Sequence, residues 1–336
     1  MARATVDGCD RPCCTTKRLA DIPPALTNDD WASYAPHLTK AHIRAILRRV
    51  ALEALPLPPQ LADDLAWFDW IIVNISGGKD SQAILDVVAT EARRLGILDR
   101  VVAVHADLRD SEWDETIPLA KDWKGTADLA GRHAAAYGVR FIVVSRRTKD
   151  GKRQGLLEQI EERGMFPSSA ARYCTSDQKR APVRALITKL VDELGGPKSL
   201  GRPVRVLNVM GMRGAESCGR QKLKPFELDH GATSLTTRHV WRWLPIHSWT
   251  DEQVWDRIKA SGVPYHPVYD HGLTRASCAF CVLASPCDLR KATRLWPAKA
   301  REVAALEGRI GHRLRVDLSA QQLVDELDAE LAMRSA

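Results

Sequence analysis

Ile75-Ser76-Gly77-Gly78-Lys79-Asp80-Ser81 is the stretch on which the reading of this chain turns. It follows Trp70-Ile71-Ile72-Val73-Asn74, a short apolar run of the buried-strand type, and precedes a helical stretch from Ser81 to Leu95. A glycine pair between a strand and a helix permits backbone angles that aim successive N–H groups at one anion. The helix that follows adds its positive end. The hydroxyls of Ser76 and Ser81 are potential donors to phosphate oxygens, and Asp80 among phosphates makes sense mainly with Mg²⁺ between them. The pattern is not G-x-x-x-x-G-K-[ST], so it is not a Walker A loop.

Outward from this loop, strands and helices alternate. Strands are expected at 101–105, 141–144 and 204–209, and helices at 119–137 (with a break near Gly125) and 182–194. Such alternation predicts an α/β fold, a doubly wound, mostly parallel sheet covered on both faces. Ligands of such sheets bind beyond the carboxyl ends of the strands. His105-Ala106-Asp107 closes the second strand there, and Asp107 is open to three roles: ribose contact, Mg²⁺ ligand or turn cap. Asn74, polar in an apolar strand, is read as satisfying a neighbouring backbone group. Three regions are expected: an N-terminal arm and helix (1–64, the helix at 41–55 ending at Pro56-Leu57-Pro58-Pro59), a nucleotide-binding α/β domain (65–247), and a helical C-terminal region with a cysteine cluster (248–336). Thr250 and Gln253 form a capping box for a helix through Ile258, and two polar helices split near Pro297 follow the cysteines.

The 336 residues carry 49 basic and 42 acidic side chains, a net charge of +7 that suits a polyanionic partner. No run of about 18 apolar residues is present, and the first thirty residues lack an apolar signal core, so no membrane association and a cytoplasmic location are expected. In a reducing compartment the eight cysteines point to metal or redox work before disulfides. Cys278-Ala279-Phe280-Cys281 is a C-x-x-C with Cys287 six positions on. Two thiolates so spaced share one metal centre, and a third is within reach. Cys174 precedes an expected capping-box helix start, Thr175 to Gln178, where the helix N-terminus would lower its thiol pKa. Cys9, Cys13 and Cys14 lie in the polar arm and are read as exposed scatter.

The loop resembles the S-G-G-x-D-S signature of the PP-loop superfamily, whose members cleave ATP between the α- and β-phosphates. The resemblance implies an adenine nucleotide alpha hydrolase-like fold with ATP and Mg²⁺ as cofactors, and pyrophosphate held by Ser76, Gly77, Gly78, Lys79, Asp80 and Ser81, Lys79 falling at the variable position. Gly211-Met212-Arg213-Gly214-Ala215-Glu216-Ser217, followed by Arg220, is similar to the G-x-R-x-x-E-S segment of the phosphoadenylyl-sulfate (PAPS) reductase family. Two arginines in a glycine turn suit bidentate phosphate or sulfate contacts, with Glu216 holding one in place. Leu244-Pro245-Ile246, Trp249, Asp251, Val254-Trp255 and Pro264-Tyr265-His266-Pro267-Val268-Tyr269-Asp270 resemble that family's C-terminal region. His266 and Tyr269 are candidates for the site or for aromatic packing.

The chain departs from that family in one respect: no cysteine follows Cys287, so the C-terminal Glu-Cys-Gly nucleophile of sulfonucleotide reductases is not found. Arg172-Tyr173-Cys174-Thr175 occupies the place of a paired-cysteine segment in cluster-bearing relatives. The resemblance therefore implies Cys174, Cys278, Cys281 and Cys287 as ligands of a [4Fe–4S] cluster, with structural Zn²⁺ as the alternative. A reductase-like PP-loop chain with these features resembles the ATP pyrophosphatase component of bacterial DNA phosphorothioation systems. That resemblance implies adenylation of a phosphate oxygen, with Asp80, Ser81 and Arg213 catalytic; His105, Asp107, Gly211 and Arg220 join the loop and Arg213 around the nucleotide. The implied partners are DNA or another nucleic acid, a cysteine desulfurase and other modification-complex subunits. Sulfonucleotide reduction, tRNA thiolation and a non-catalytic nucleotide-binding role are the alternatives. Arg146, Arg147, Lys149, Lys152, Arg153, Lys179, Arg180, Arg184, Lys222 and Lys224 are read as either a backbone-binding track or a solvated basic face.

Overall fold

The computed structural model describes residues 39, 41, 65–276 and 278–335. From residue 65 onward these belong to one compact unit, Pro58–Ala336. Cys9, Cys13, Cys14 and nearly all of the helix expected at 41–55 lie outside the described residues.

Six strands form one sheet in the order β3-β2-β1-β4-β6-β5. They are β1 (Trp70–Asn74), β2 (Val101–Ala106), β3 (Arg140–Val144), β4 (Val204–Met210), β5 (Phe226–Leu228) and β6 (Arg238–Trp243). All neighbours run parallel except the β5–β6 pair. The chain therefore winds outward from β1 in one direction through β2 and β3, and in the other through β4 and β6. The order reverses between β1 and β4, and the crevice at such a switch point is where an open α/β sheet binds its ligand.

The principal helices are α1 (Lys79–Arg94), α2 (Thr126–Ala136), α3 (Leu156–Arg163), α4 (Ala181–Glu193), α5 (Asp251–Ser261), α6 (Pro286–Leu295), α7 (Pro297–Ile310) and α8 (Ala320–Ser335). The two-residue period of β1 explains the layering. Ile71 and Val73 enter the core under α1 and α5, while Trp70 and Ile72 enter the opposite core with Val183, Leu186, Ile187 and Leu190 of α4. Both faces being covered is why β1 reads as a continuous apolar run. A further core joins Leu156 and Ile160 of α3 and Phe166 to Val303, Leu306, Leu323 and Val324 of α7 and α8. The fold is thus the expected doubly wound α/β class with a helical C-terminal region.

Three local expectations are corrected. The stretch 119–137 is helical only from Thr126, because Gly125 takes φ 97° and the Trp123 indole donates to the Asp114 carbonyl at 2.7 Å, folding 119–124 as a turn. Thr175 is not an N-cap: Tyr173–Thr175 is already helical and runs through a π turn, Ser176–Arg180, into α4. From Pro286 on the chain carries three helices rather than two, the first of them holding Cys287, with Pro297 opening α7 as expected. The capping box of α5 forms, with Thr250 Oγ1 accepting from the Gln253 amide. Asn74 donates to the Val209 carbonyl at 2.8 Å and to Asn208 Oδ1 at 2.6 Å, tying β1 to β4 at the switch point.

Candidate functional site

The glycine loop lies where β1 hands over to α1. Gly77 has φ 75°, and a Cβ there would sit 3.0 Å from Thr126 Cγ2. At Gly78 a Cβ would lie 2.9 Å from the Ala276 carbonyl oxygen. Both positions therefore require glycine, one for its backbone angle and one for a close approach. Inside the loop, Ser81 Oγ donates to the Gly78 carbonyl at 2.7 Å and accepts from the Ser76 amide at 3.0 Å. The backbone N–H groups of Gly77, Gly78, Asp80 and Ser81 have no hydrogen-bond partner among the described residues. Four such donors around the start of a 16-residue helix make an anion nest.

The nest is bounded by two features. On one side the Tyr269 hydroxyl accepts from the Lys79 amide at 3.0 Å and from the Ala276 amide at 3.3 Å, roofing Gly78 with the segment that leads to Cys278. Burial raises the Tyr269 pKa to about 12 despite those two donors, so the hydroxyl stays protonated. On the other side stands a charge quartet. Arg213, 5% exposed, donates through Nε to Asp80 Oδ1 at 2.5 Å and through Nη2 to Asp251. Lys79 Nζ lies 3.0 Å from Asp80 and 3.2 Å from Asp251. Burial alone would lower the Arg213 pKa, but Asp80 and Asp251 raise it above its usual value. Burial pushes Asp251 up, and Lys79 and Arg213 more than reverse that. Gly211 is needed here as well, since a Cβ would fall 2.8 Å from the Asp80 carbonyl oxygen.

Arg220 stands one layer out. It pairs with Glu216, which also accepts from the Arg213 amide at 3.1 Å and lies 3.9 Å from Arg275. Glu216 thus orders the arginine turn. Asp251, part of the segment that resembles the reductase family's C-terminal region, is brought into the quartet by the capping of α5. Nothing in its local sequence marks it.

His105 ends β2 beside the loop and is 1% exposed. Its Nδ1 lies 3.0 Å from the Ile75 carbonyl oxygen and its Nε2 2.9 Å from Glu112 Oε2. Burial would lower its pKa, and the Glu112 carboxylate raises it above the ordinary histidine value. Asp107 Oδ1 accepts from the Arg109 amide at 2.7 Å, a turn-capping contact. His266 is buried, its Nδ1 accepting from the Val268 amide at 3.3 Å and its Nε2 3.3 Å from Thr126 Oγ1. Burial takes its pKa down to about 3.

Of the four cysteines, Cys174, Cys278 and Cys281 come together. They line one cleft with Phe166, Phe280 and Lys299. Cys287 is exposed on α6, with Arg290 and Arg294 as its electrostatic neighbours. The hydrogen bond from Cys278 holds the Cys281 thiol well below its usual pKa, and Lys179 and Arg275 act in the same direction. Burial raises Cys174, the reverse of the lowering expected from a helix start, although Lys179 opposes it. The three sulfurs do not all lie within 4.8 Å of one another. A tetrahedral Zn²⁺ site, with Zn–S bonds of about 2.3 Å, needs sulfurs about 3.8 Å apart. Cys278 and Cys281 are nonetheless in hydrogen-bond contact, and a three-thiol set of this kind can supply ligands to an iron–sulfur cluster or to Zn²⁺. The cleft adjoins the nucleotide loop: Ala279 donates to the Ser111 carbonyl at 2.9 Å, and Ala276 roofs Gly78.

Arg147, Lys149, Lys152 and Arg153 are exposed on a hairpin after β3, and Lys179 and Arg180 are exposed just before α4. Arg146 is bonded to Gln154, and Arg184 is paired with Asp229. Among the described residues no helix is long and apolar enough to cross a membrane.

Comparison with known proteins follows the same lines. A 37.8 kDa uncharacterized protein of Escherichia phage 186 is 32% identical over 145 residues, 43% of this chain and 40% of that protein. An uncharacterized protein of Methanocaldococcus jannaschii is 24% identical over 227 residues, 68% of this chain and 45% of that protein. The chain thus spans less than half the length of the curated relatives it matches. Among solved structures, the PAPS reductase of Candida auris in a phosphate complex has 21% identity and a TM-score of 0.39, covering 70% of this chain and 94% of the other. The U34-tRNA thiolase of Methanococcus maripaludis with its [4Fe-4S] cluster has 13% identity and a TM-score of 0.37, covering 87% and 81%. The sequence profile of the phosphoadenosine phosphosulfate reductase domain matches residues 70–284, from the first residue of β1 through the C-x-x-C, well over half of the chain. The chain belongs to the phosphoadenosine phosphosulfate reductase domain family.

Proposed function

We propose that this chain is an ATP pyrophosphatase that adenylates a phosphate oxygen of nucleic acid, DNA in the first instance, to prepare it for replacement by sulfur. The observation that carries the reading is the nest of four N–H donors flanked by Asp80 and Arg213, with a three-cysteine cleft reached through Ala276. In this reading the β,γ-pyrophosphate seats on Gly77, Gly78 and Ser81. A phosphate oxygen takes over the Lys79 amide from the Tyr269 hydroxyl, and Asp80 would help hold the Mg²⁺ that shields the phosphate charge. Arg213 neutralises charge at the α-phosphorus as the acceptor oxygen attacks and pyrophosphate leaves, a step driven by position and electrostatics. The terminal sulfur of a persulfide on a partner cysteine desulfurase then attacks the activated phosphorus as AMP leaves, and a second thiol cleaves the remaining S–S bond, releasing the phosphorothioate and a disulfide.

Cys174, Cys278 and Cys281 would hold an iron–sulfur cluster, which when bound supplies a sulfur- or electron-handling centre beside the activated phosphate. Cys287 is not positioned with them, so three thiols of this chain would hold the cluster. The exposed Arg147, Lys149, Lys152, Arg153, Lys179 and Arg180 would track the acceptor's backbone.

The test incubates the protein with ATP, Mg²⁺, cysteine, a cysteine desulfurase and either duplex DNA or unmodified tRNA. AMP and pyrophosphate, with phosphorothioate dinucleotides after nuclease digestion of the DNA, support the proposal. Thionucleosides from tRNA would make it a tRNA thiolase instead. Sulfite released from PAPS or its non-phosphorylated relative with a dithiol donor would make it a reductase. Sulfur incorporation undiminished in a Ser81→Ala, Asp80→Ala double variant would leave the chain a nucleotide-binding scaffold.

A further inference from the structure

We propose that His105, Asp107 and Glu112 bind a divalent transition-metal ion, of the manganese, iron or zinc class, at the C-terminal end of β2. The site is separate from the Mg²⁺ that accompanies ATP and does not depend on the proposed reaction.

A backbone carbonyl only accepts, so the 3.0 Å contact with Ile75 assigns the proton of His105 to Nδ1. In neutral imidazole Nε2 then carries a lone pair, and that lone pair faces the Glu112 carboxylate oxygen at 2.9 Å. Two electron-rich atoms at that distance in a buried site need a cation between them, either a proton on Nε2 or a metal ion, and the third oxygen ligand nearby favours the metal. A metal ion meets the need. Two ligand atoms each about 2.1 Å from one ion, and at right angles to each other, are about 3.0 Å apart. A carboxylate oxygen of Asp107 completes a group whose three ligand atoms all lie within 4.8 Å of one another; among the described residues no other such group of histidine, cysteine, aspartate and glutamate occurs.

The surroundings suit a ligand set of this kind. The Nδ1–H bond to a backbone carbonyl is the outer contact that orients a metal-binding histidine. Glu112 Oε1 is steadied by the Leu108 amide at 3.3 Å, and Asp107 Oδ1 by the Arg109 amide. Asp107 and Glu112 are only partly buried, leaving room for water or substrate as further ligands. One imidazole and two carboxylates select a borderline divalent ion; Mg²⁺ prefers an all-oxygen shell that keeps several waters. The ion would lie between the nucleotide loop, through Ile75, and the cysteine loop, through Ser111.

The test titrates Mn²⁺ into the full chain without nucleotide and reads free Mn²⁺ by electron paramagnetic resonance. Mn²⁺ is chosen because it stands at the weak end of the divalent series and competes poorly for thiolates. The expected result is one bound ion per chain, weakened at least about ten-fold by Asp107→Asn and by Glu112→Gln, and unchanged by Cys278→Ser or Asp80→Asn. Asp107→Asn leaves the His105–Glu112 contact intact and tests the site even if Glu112→Gln fails to fold. Three results would overturn the proposal. One is wild-type affinity in both carboxylate variants, and another is loss of the ion in Asp80→Asn alone. The third is no bound ion together with ¹⁵N resonances showing His105 doubly protonated at pH 7.5, since a proton would then be the bridging cation.

Discussion

Arg213 is the side chain on which the nucleotide site depends most, because one buried guanidinium holds two carboxylates from different elements. A lysine carries the same charge but not the planar fork that serves both. If the chain carries out the proposed reaction, Arg213→Lys should lower AMP formation by about 100-fold with little change in a thermal melt. Gly78→Ala tests a different quantity. Its Cβ would press on the Ala276 carbonyl, which is backbone and yields little. Loss of nucleotide binding is expected with destabilisation of about 1–3 kcal/mol, read by denaturant titration. Tyr269→Phe removes the acceptor shared by the Lys79 and Ala276 amides. Stability should fall by about 1–3 kcal/mol without nucleotide. Saturating ATP should recover more of that loss than it adds to the wild type, because the Lys79 amide then meets phosphate without competition. Equal ATP-induced shifts in the two proteins would show that phosphate never uses that amide.

At the scale of elements, the junction of α2 with the segment before Tyr269 should contribute to the loss of stability in acid. His133 of α2, 1% exposed, has its Nε2 2.8 Å from the Pro264 carbonyl oxygen. Burial takes its pKa down to about 4, with the Pro264 bond opposing and Arg132 assisting, and His266 sits at about 3. Unfolded histidines titrate near 6.5. Between that value and the folded ones, the unfolded chain binds more protons than the native chain. Stability is thus full above about pH 6.5 and is lost as pH falls. Each histidine should cost about 1.5 kcal/mol between pH 6.5 and 5. His133→Gln, which retains a donor for Pro264, should flatten the pH dependence of unfolding by about that amount. The strand–loop–helix unit and the alternating pattern around it were legible in sequence, because buried parallel strands and helix starts leave local signatures. β5, β6 and α3 were not. Arg238-His239-Val240-Trp241-Arg242-Trp243 is rich in polar and aromatic residues, and it becomes a strand only by pairing with β4.

For the molecule as a whole, charge is a prediction about partners. If the exposed cations after β3 and before α4 follow a nucleic-acid backbone, replacing Lys149, Lys152 and Arg153 with glutamate should weaken DNA binding across sequences. It should also reduce the dependence of log affinity on log salt by about 0.9 for each lost phosphate contact. Fluorescence anisotropy at several salt concentrations measures both. Unaltered binding would return these residues to the role of a solvated surface.

Taken alone, the amino-acid order determined the class of fold, the glycine loop and the arginine turn. Each of these is written in residues close together in the chain, where conformational demand and chemistry act on the same few positions. Only the folded chain decided how distant groups meet. It placed Asp251 against Arg213, Tyr269 over Lys79 and Glu112 against His105; it drew three cysteines into one cleft and left Cys287 outside. Those meetings follow from strand order and from which helix face is buried, and a one-dimensional pattern constrains neither once the residues lie on different elements.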